Sequence, residues 1–185
     1  MTESRAAKQE SGDAGDASRV LPVLVGLVAV LRQDFEQNPW LEPRLTLAVW
    51  RLGQAAHGRH GIPFFLLRRL HGVLDFVWVR SMIGAELPRS VPAGPGLRLP
   101  HAGRGVILHS STRLGARVTL YHQVTVGVRG KDPAATIEDD VYIGAGAKVV
   151  GQITLGAGCQ IGANAVVLKD VPPGRTAVGV PARLL

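Results

Sequence analysis

Residues 143–173 read IGAGAKVVGQITLGAGCQIGANAVVLKDVPP, and a similar pattern returns every six residues along this stretch. Two apolar rows share that period. One row is Ile137, Ile143, Val149, Leu155, Ile161 and Val167, and the other is Val141, Ala147, Ile153, Cys159, Ala165 and Val171. A period of six matches neither an α-helix nor the alternation of a simple strand. It is typical of a parallel β-helix with three flat faces and about 18 residues in each coil, whose apolar row points inward.

The six-residue period predicts where the coils begin and where they are interrupted. Short apolar segments separated by Gly and Pro start near Leu87, and the period itself starts at Leu108. Between Val126 and Ile137 the spacing is five residues too long, so residues 128–135, VRGKDPAA, are predicted to form a protruding loop. Glycines at 144, 156 and 162 are expected to permit tight turns between faces. Cys159 is expected to be a small core residue rather than a nucleophile.

The first half of the chain has a different character. Residues 1–18 are small and polar, which predicts a disordered tail. Residues 19–85 contain three helical patterns, at 19–34, 42–58 and 62–84, and the β-helix is expected over 86–185. The first pattern is too short to span a bilayer and predicts a buried helix. The third is apolar enough to touch a membrane surface, but Arg68, Arg69, His71 and Asp75 interrupt it, so helix packing is favoured over membrane contact.

Composition narrows the classes of function. The chain has 185 residues, 46% of them hydrophobic, which is ample for one domain with a core. Its 21 Lys and Arg outnumber 14 Asp and Glu, but they form no long basic run, so nucleic acid is not an expected partner. A phosphate-rich cofactor would also suit the positive excess. One cysteine and no secretion signal predict a cytoplasmic protein.

Beyond the repeat, LPHAGRGVILH and VVLKDVPPGRTAVGVPARLL resemble the hexapeptide-repeat (left-handed β-helix) acyltransferases. The resemblance is narrower to their serine acetyltransferase-like group, which includes exopolysaccharide sugar acetyltransferases. It covers about residues 34–185. It implies a mostly β fold, a left-handed parallel β-helix with an N-terminal α-helical segment, acetyl-CoA as the acetyl donor, a homotrimer with the acceptor site between subunits, and a small-molecule or saccharide acceptor.

The same resemblance implies a catalytic pair. In that family a histidine deprotonates the acceptor hydroxyl, and a carboxylate fifteen residues upstream orients the histidine. Glu86 and His101 stand at that spacing. Imidazole is the usual general base near neutral pH, and a carboxylate on its far nitrogen holds the tautomer. Taken singly, His101 could equally be a solvent-facing residue and Glu86 a charge at a helix end.

Other positions match the cofactor and acceptor sites of the family. The cofactor-binding candidates are Gly127, Arg129, Ala145, Gly146, Lys148, Ala163 and Lys169. The acceptor-site candidates are Asn38 and His122, whereas His109 is expected to be a surface corner residue. The spacings between His101, His109 and His122 do not fit one 18-residue turn, so no metal site is expected.

Three departures bear on the acceptor. An Asp-Pro pair of true serine acetyltransferases is Asn38-Pro39 here, the aspartate before the histidine is Pro100, and VRGKDPAA lacks their Arg-His-Pro segment. Without these carboxylates and that arginine, recognition of a zwitterion is weakened. The sequence therefore favours O-acetylation of a sugar or sugar-like hydroxyl. The alternatives are serine O-acetylation and a non-catalytic trimeric scaffold.

Overall fold

A computed structural model describes the backbone of residues 3–185 and the side chains from Val20 onward. Its N-terminal layer consists of α1 (Glu3–Gln37), α2 (Leu41–Ala56) and α3 (Ile62–Leu74), and α3 continues into a π-helical segment, Asp75–Ile83. The assigned backbone of α1 thus runs through most of the predicted tail at 1–18. Because the side chains before Val20 lie outside the described residues, that domain boundary stays a prediction.

Short strands form the rest of the chain, and they lie on three faces. Face 1 contains β1 (Ile107–Leu108), β4 (Thr125–Gly127), β7 (Lys148–Val150) and β10 (Val166–Val167). Face 2 contains β2 (Arg113–Leu114), β5 (Thr136–Ile137) and β8 (Thr154–Leu155). Face 3 contains β3 (Thr119–Leu120), β6 (Tyr142–Ile143), β9 (Gln160–Ile161), β11 (Thr176–Val178) and β12 (Arg183–Leu184). All pairings are parallel except that of β11 with β12.

The strand register confirms the predicted left-handed β-helix and its coil length. Tyr142 pairs with Gln160 and Lys148 with Val166, each 18 residues apart. Pairs that enclose residues 128–135, such as Thr125 with Lys148, are 23 apart, so the extra residues lie between β4 and β5. Pairs in the first coil, such as Arg98 with Thr119, are 21 apart.

Side chains of both apolar rows fill the interior. Every member of each row, from Ile137 to Val171, is at least nine-tenths buried. The glycines at 144, 156 and 162 serve a different purpose from the one predicted, because none of them has a left-handed φ. A Cβ on Gly144 would lie 2.7 Å from the backbone nitrogen of Ala163, and one on Gly156 would lie 2.5 Å from that of Pro173. They are needed because successive coils approach closely, not because the chain turns there.

Polar side chains of α1 and α2 hold the first coil. Asp34 and Arg51 form a buried ion pair at 2.8 Å, and Arg51 donates further hydrogen bonds to the carbonyls of Ala93 and Gly94. Asp34 also accepts the backbone N–H of Leu97 at 2.9 Å. Two more donors reach this coil: Gln54 bonds the carbonyl of Val91, and Trp50 that of Pro88. The helices thereby satisfy backbone groups that no neighbouring coil covers.

Burial of the helices differs from the prediction in one respect. The first helical pattern was expected to be buried, but Leu21, Val25 and Val28 are exposed on α1. The third pattern packs through Phe64, His71, Val79 and Ile83, as favoured, while its opposite side is uncovered. No helix in the described part of the chain is both long and apolar enough to cross a membrane.

Candidate active site

His101 lies on an enlarged corner of the β-helix. The pairs 86–107, 93–114 and 98–119 are all 21 residues apart, so the three additional residues lie where those intervals overlap, between 98 and 107. Pro100–Gly103 forms a tight turn there, and His101 and Ala102 have left-handed φ of 56° and 60°. Left-handed φ is uncommon outside glycine, and it recurs in this β-helix at Gln123 and Asn164, in later corners of the same edge. The turn leaves the imidazole exposed to solvent.

Asn38 fixes the segment that leads into this corner. Its amide nitrogen donates to the carbonyls of Asp34 at 2.7 Å and Leu97 at 2.8 Å, and its oxygen accepts the N–H of Leu99 at 3.0 Å. The residue is only 2% exposed. Asn38 was expected to bind substrate, and it does line the cleft beside His101, but both of its N–H donors are used by the protein, so that role stays a prediction. Its observed contacts position Leu97–Leu99, immediately before the turn that carries His101.

Aromatic rings surround His101. The ring of His122 is edge-on to it with centroids 4.9 Å apart, and Tyr121 lies 6.3 Å away. Tyr121 in turn contacts Tyr142, whose pKa is raised by burial first and by the adjacent Tyr121 phenol second. The Nδ1 atom of His122 is buried without a hydrogen-bond partner. The structure therefore brings two of the candidate histidines together.

Glu86 does not hydrogen-bond His101 within the described residues. Its backbone bridges Ile107 at the start of face 1. The hydrogen bond with Asp75 is the main cause that raises the pKa of Arg80, and the charge of Glu86 adds to it. A fifteen-residue spacing thus does not by itself bring the carboxylate to the imidazole. The orienting role of Glu86 stays a prediction.

A cleft of about 510 Å³ lies beside His101, between the helices and the first coil. Charged residues of both signs line it, namely Glu42, Arg98 and Arg104, together with the indole of Trp40 and the ring of Tyr121. None of these five was a candidate from the sequence. Arg98 and Arg104 lie three residues before and three residues after His101. This proximity in the sequence could have identified them as site candidates. Glu42 and Trp40 reach the cleft only through the packing of α2.

A second cleft, of about 520 Å³, is also lined by His101. Ile83, Gly84, Gly105, His122 and Gln123 line it with His101 and Arg104. His101 therefore borders two open spaces, which suits a base that must meet two reactants.

Most cofactor candidates lie along face 1 and its two edges. Register places His122, Ala145 and Ala163 at equivalent positions of successive corners below His101. We call this column, with His101 at its head, the histidine edge. Gly146 shares the corner of Ala145, and a Cβ there would clash with Asn164. Small residues therefore occupy this edge in the two corners that follow His122.

On the opposite edge of face 1, Gly127 opens onto free space, and a Cβ there would meet no atom within 4 Å. Arg129 and Lys169 are both exposed on this edge, in the corners after β4 and β10, which are two coils apart. Lys148 lies on the face itself, and its ammonium donates to the Gln123 carbonyl at 2.7 Å and to Thr125 Oγ1 at 3.1 Å. Lys148 is therefore already engaged by the protein, whereas Arg129 and Lys169 are exposed.

His109 lies away from the histidine edge, on an exposed corner after β1. Its Nδ1 contacts Ser111 Oγ at 2.8 Å, and Ser111 Oγ accepts the N–H of Ala134 at the end of the protruding loop. No group of three or more His, Cys, Asp and Glu among the described side chains could hold a metal ion.

Comparisons with known proteins converge on one family. A family model, bacterial transferase hexapeptide (six repeats), matches residues 134–169. A serine acetyltransferase of Helicobacter pylori is 38% identical over 175 residues, which cover 90% of this chain and 98% of that protein. Soybean serine acetyltransferase complexed with serine superposes with a TM-score of 0.69 at 31% identity, covering 88% of this chain and 69% of the soybean chain. A Brucella abortus serine acetyltransferase in complex with coenzyme A gives 0.68 at 27% identity, covering 85% and 67%.

Proposed function

Because this chain belongs to the serine acetyltransferase family of hexapeptide-repeat acyltransferases, we propose that it transfers the acetyl group of acetyl-CoA to the hydroxyl of serine, with His101 as the general base. The observation that carries the proposal is the enlarged corner at Pro100–Gly103. It holds an exposed imidazole that borders two clefts, in a chain aligned with nearly the whole of a curated serine acetyltransferase.

The reaction requires one general base that both the serine hydroxyl and the thioester of acetyl-CoA can reach. His101 accepts the proton of the serine hydroxyl while the oxygen attacks the thioester carbonyl carbon. The tetrahedral intermediate then expels the CoA sulfur, which takes the proton back from the imidazolium, leaving O-acetylserine and CoA. We assign the 510 Å³ cleft to the acceptor, because it contains charged groups. We assign the histidine edge to the pantetheine arm, because its small residues allow a thin chain to lie close to the backbone.

The acceptor cleft offers groups suited to a zwitterion in place of those missing from the sequence motif. The carboxylate of Glu42 is available for an ammonium group, and the guanidinium groups of Arg98 and Arg104 are available for a carboxylate. They would compensate for the aspartates that Asn38 and Pro100 replace, so serine could still be recognised. The earlier preference for a sugar acceptor finds no support in the comparisons, which list serine acetyltransferases.

The assembly is also part of the proposal. The face that carries the cofactor candidates is open along its length in the single chain, and Ile107 at its start is 42% exposed. A homotrimer of side-by-side β-helices would cover this face and form a groove for acetyl-CoA between neighbours.

The decisive experiment measures CoA release from acetyl-CoA with serine as the acceptor, for the full chain and for His101→Ala. We expect saturable turnover with serine and a loss of about 10²–10⁴ in kcat for the variant. His109→Ala is the matched control, because it removes an exposed histidine from another corner of the same β-helix. Its turnover should stay within about twofold of the unmodified protein.

The same assay is repeated with other acceptors and with the Glu86→Gln variant. Turnover with nucleotide sugars or oligosaccharides but not serine would refute the proposed acceptor while keeping His101 as the base. Equal turnover of His101→Ala and the unmodified chain would refute the proposed base. A large loss of kcat in Glu86→Gln would support its orienting role, and unchanged kcat would remove that role.

A further inference from the structure

One side of α3 and its π-helical continuation is apolar and uncovered. The residues are Ile62, Phe65, Leu66, Leu70, Val73, Phe76 and Val77, each between 47% and 75% exposed. We call this set the α3 stripe. Its spacing follows the helix, so the side chains share one face, opposite the buried Phe64 and His71. An apolar patch of this extent on a protein surface usually marks an interaction site.

The charges around the α3 stripe are almost all positive. Between His57 and Ala85 the chain carries four arginines, at 59, 68, 69 and 80, and one acid, Asp75. Asp75 is already paired with Arg80 at 2.8 Å. The guanidinium of Arg69 lies within the stripe, 5.1 Å from the centre of the Phe65 ring. The surface is therefore that of a basic amphipathic helix with aromatic side chains.

From these observations we propose that the α3 stripe docks on an anionic lipid bilayer, with α3 lying in the plane of the headgroups. The apolar side chains would enter the boundary with the acyl chains, and Arg69 would extend its guanidinium to lipid phosphates while its stem stays on Phe65. The net charge of +7 adds attraction to the same surface.

A two-fold contact between the stripes of two copies fits less well. A two-fold contact places the same patch on both partners, so it would bring Arg69 of each copy into one apolar contact. Arginine without an acidic partner is costly to bury. The exposed apolar surface of α1 differs from the α3 stripe, because residues 20–31 contain no charged residue. That surface suits a protein partner better than an anionic bilayer.

Co-sedimentation of the full chain with vesicles tests the proposal. One set of vesicles contains phosphatidylcholine alone, and the other mixes phosphatidylcholine with phosphatidylglycerol. We expect binding to the mixed vesicles, weakened by salt because surface attraction is screened over about 10 Å. Val73→Ser should weaken binding about tenfold. Arg69→Glu should weaken it roughly 30-fold, since each charge near an anionic surface contributes about fivefold.

Matched controls use α1. Val28→Ser removes a similarly exposed valine, and Arg32→Glu makes the same change of charge as Arg69→Glu. Val28→Ser should bind as the unmodified chain does, and Arg32→Glu should lose far less affinity than Arg69→Glu because α1 lies outside the proposed contact. Equal losses in the α1 and α3 variants, no binding to the mixed vesicles, or equal binding to both kinds of vesicle would overturn the proposal. A lower molecular mass of Val73→Ser in light scattering, with its circular dichroism unchanged, would also overturn it by identifying a protein contact.

Discussion

Asn38→Asp offers a sharp test of how the helices support the active site. The change replaces one NH₂ group with an oxygen atom. It introduces the aspartate that true serine acetyltransferases are expected to have at this position. In this structure it replaces an amide that donates to the carbonyls of Asp34 and Leu97 with a carboxylate that only accepts. Because the site is 2% exposed, water cannot take over either bond.

The expected cost follows from those two carbonyls. A buried acceptor left without its donor costs about 1–3 kcal/mol, so the pair predicts a loss of roughly 2–6 kcal/mol in the free energy of unfolding. Burial also raises the pKa of the introduced carboxyl above its unfolded value. The variant is therefore least destabilised at pH below the unfolded pKa of aspartate and loses stability as pH rises.

Urea denaturation at several pH values measures this loss. Gln37→Glu is the matched control, since it makes the same amide-to-carboxylate change at an exposed neighbour lining the same cleft. We expect the control to unfold near the midpoint of the unmodified chain. An Asn38→Asp variant as stable as the control, with a lower KM for serine, would refute the supporting role and favour the predicted role of Asn38 in acceptor binding.

Three further predictions concern glycine, cysteine and histidine. Gly144→Ala should cost about 1–3 kcal/mol in urea denaturation, because its Cβ would press on the next coil, whereas Gly127→Ala should be near neutral because its Cβ meets open space. Burial first, and Glu138 second, raise the pKa of Cys159 to about 11, so iodoacetamide at pH 8 should alkylate the protein in denaturant and not in its native state, as read by mass spectrometry. Burial is the main cause that lowers the pKa of His71 from 6.5, with Arg89 and Arg80 lowering it further and Asp75 opposing them. Stability should therefore fall as pH drops below 6.5 toward the folded pKa, and His71→Leu should flatten this dependence in thermal melts; an unchanged slope would contradict it.

The β-helix was predictable because its signal is repeated and local. Each inward residue, such as Ile143 or Leu155, is specified six residues from the next, and each coil contacts only its neighbours. The interruption near residues 128–135 was visible in the same count, since it breaks the period. The sequence did not show why glycine is needed at 144 and 156, because the steric constraint comes from the backbone of the following coil.

The site was predictable only where a single residue carries the chemistry. His101 could be identified by resemblance, but its enlarged corner depends on the register of the first coil. The contacts of Asn38 and the presence of Glu42 in the cleft arise from how α1 and α2 pack on that coil, over separations of about sixty residues. Such contacts leave no periodic trace in the sequence.

Both ends of the β-helix are closed by the chain itself, which bears on how these molecules behave when crowded. At one end the side chains of Asp34, Arg51 and Gln54 occupy the backbone groups of the first coil, and at the other β12 turns back antiparallel against β11. An uncapped coil would be a template for the next molecule, and repetition of that contact would build a fibre. The buried Asp34–Arg51 pair is in this sense a terminator of polymerisation as well as a support for the active site.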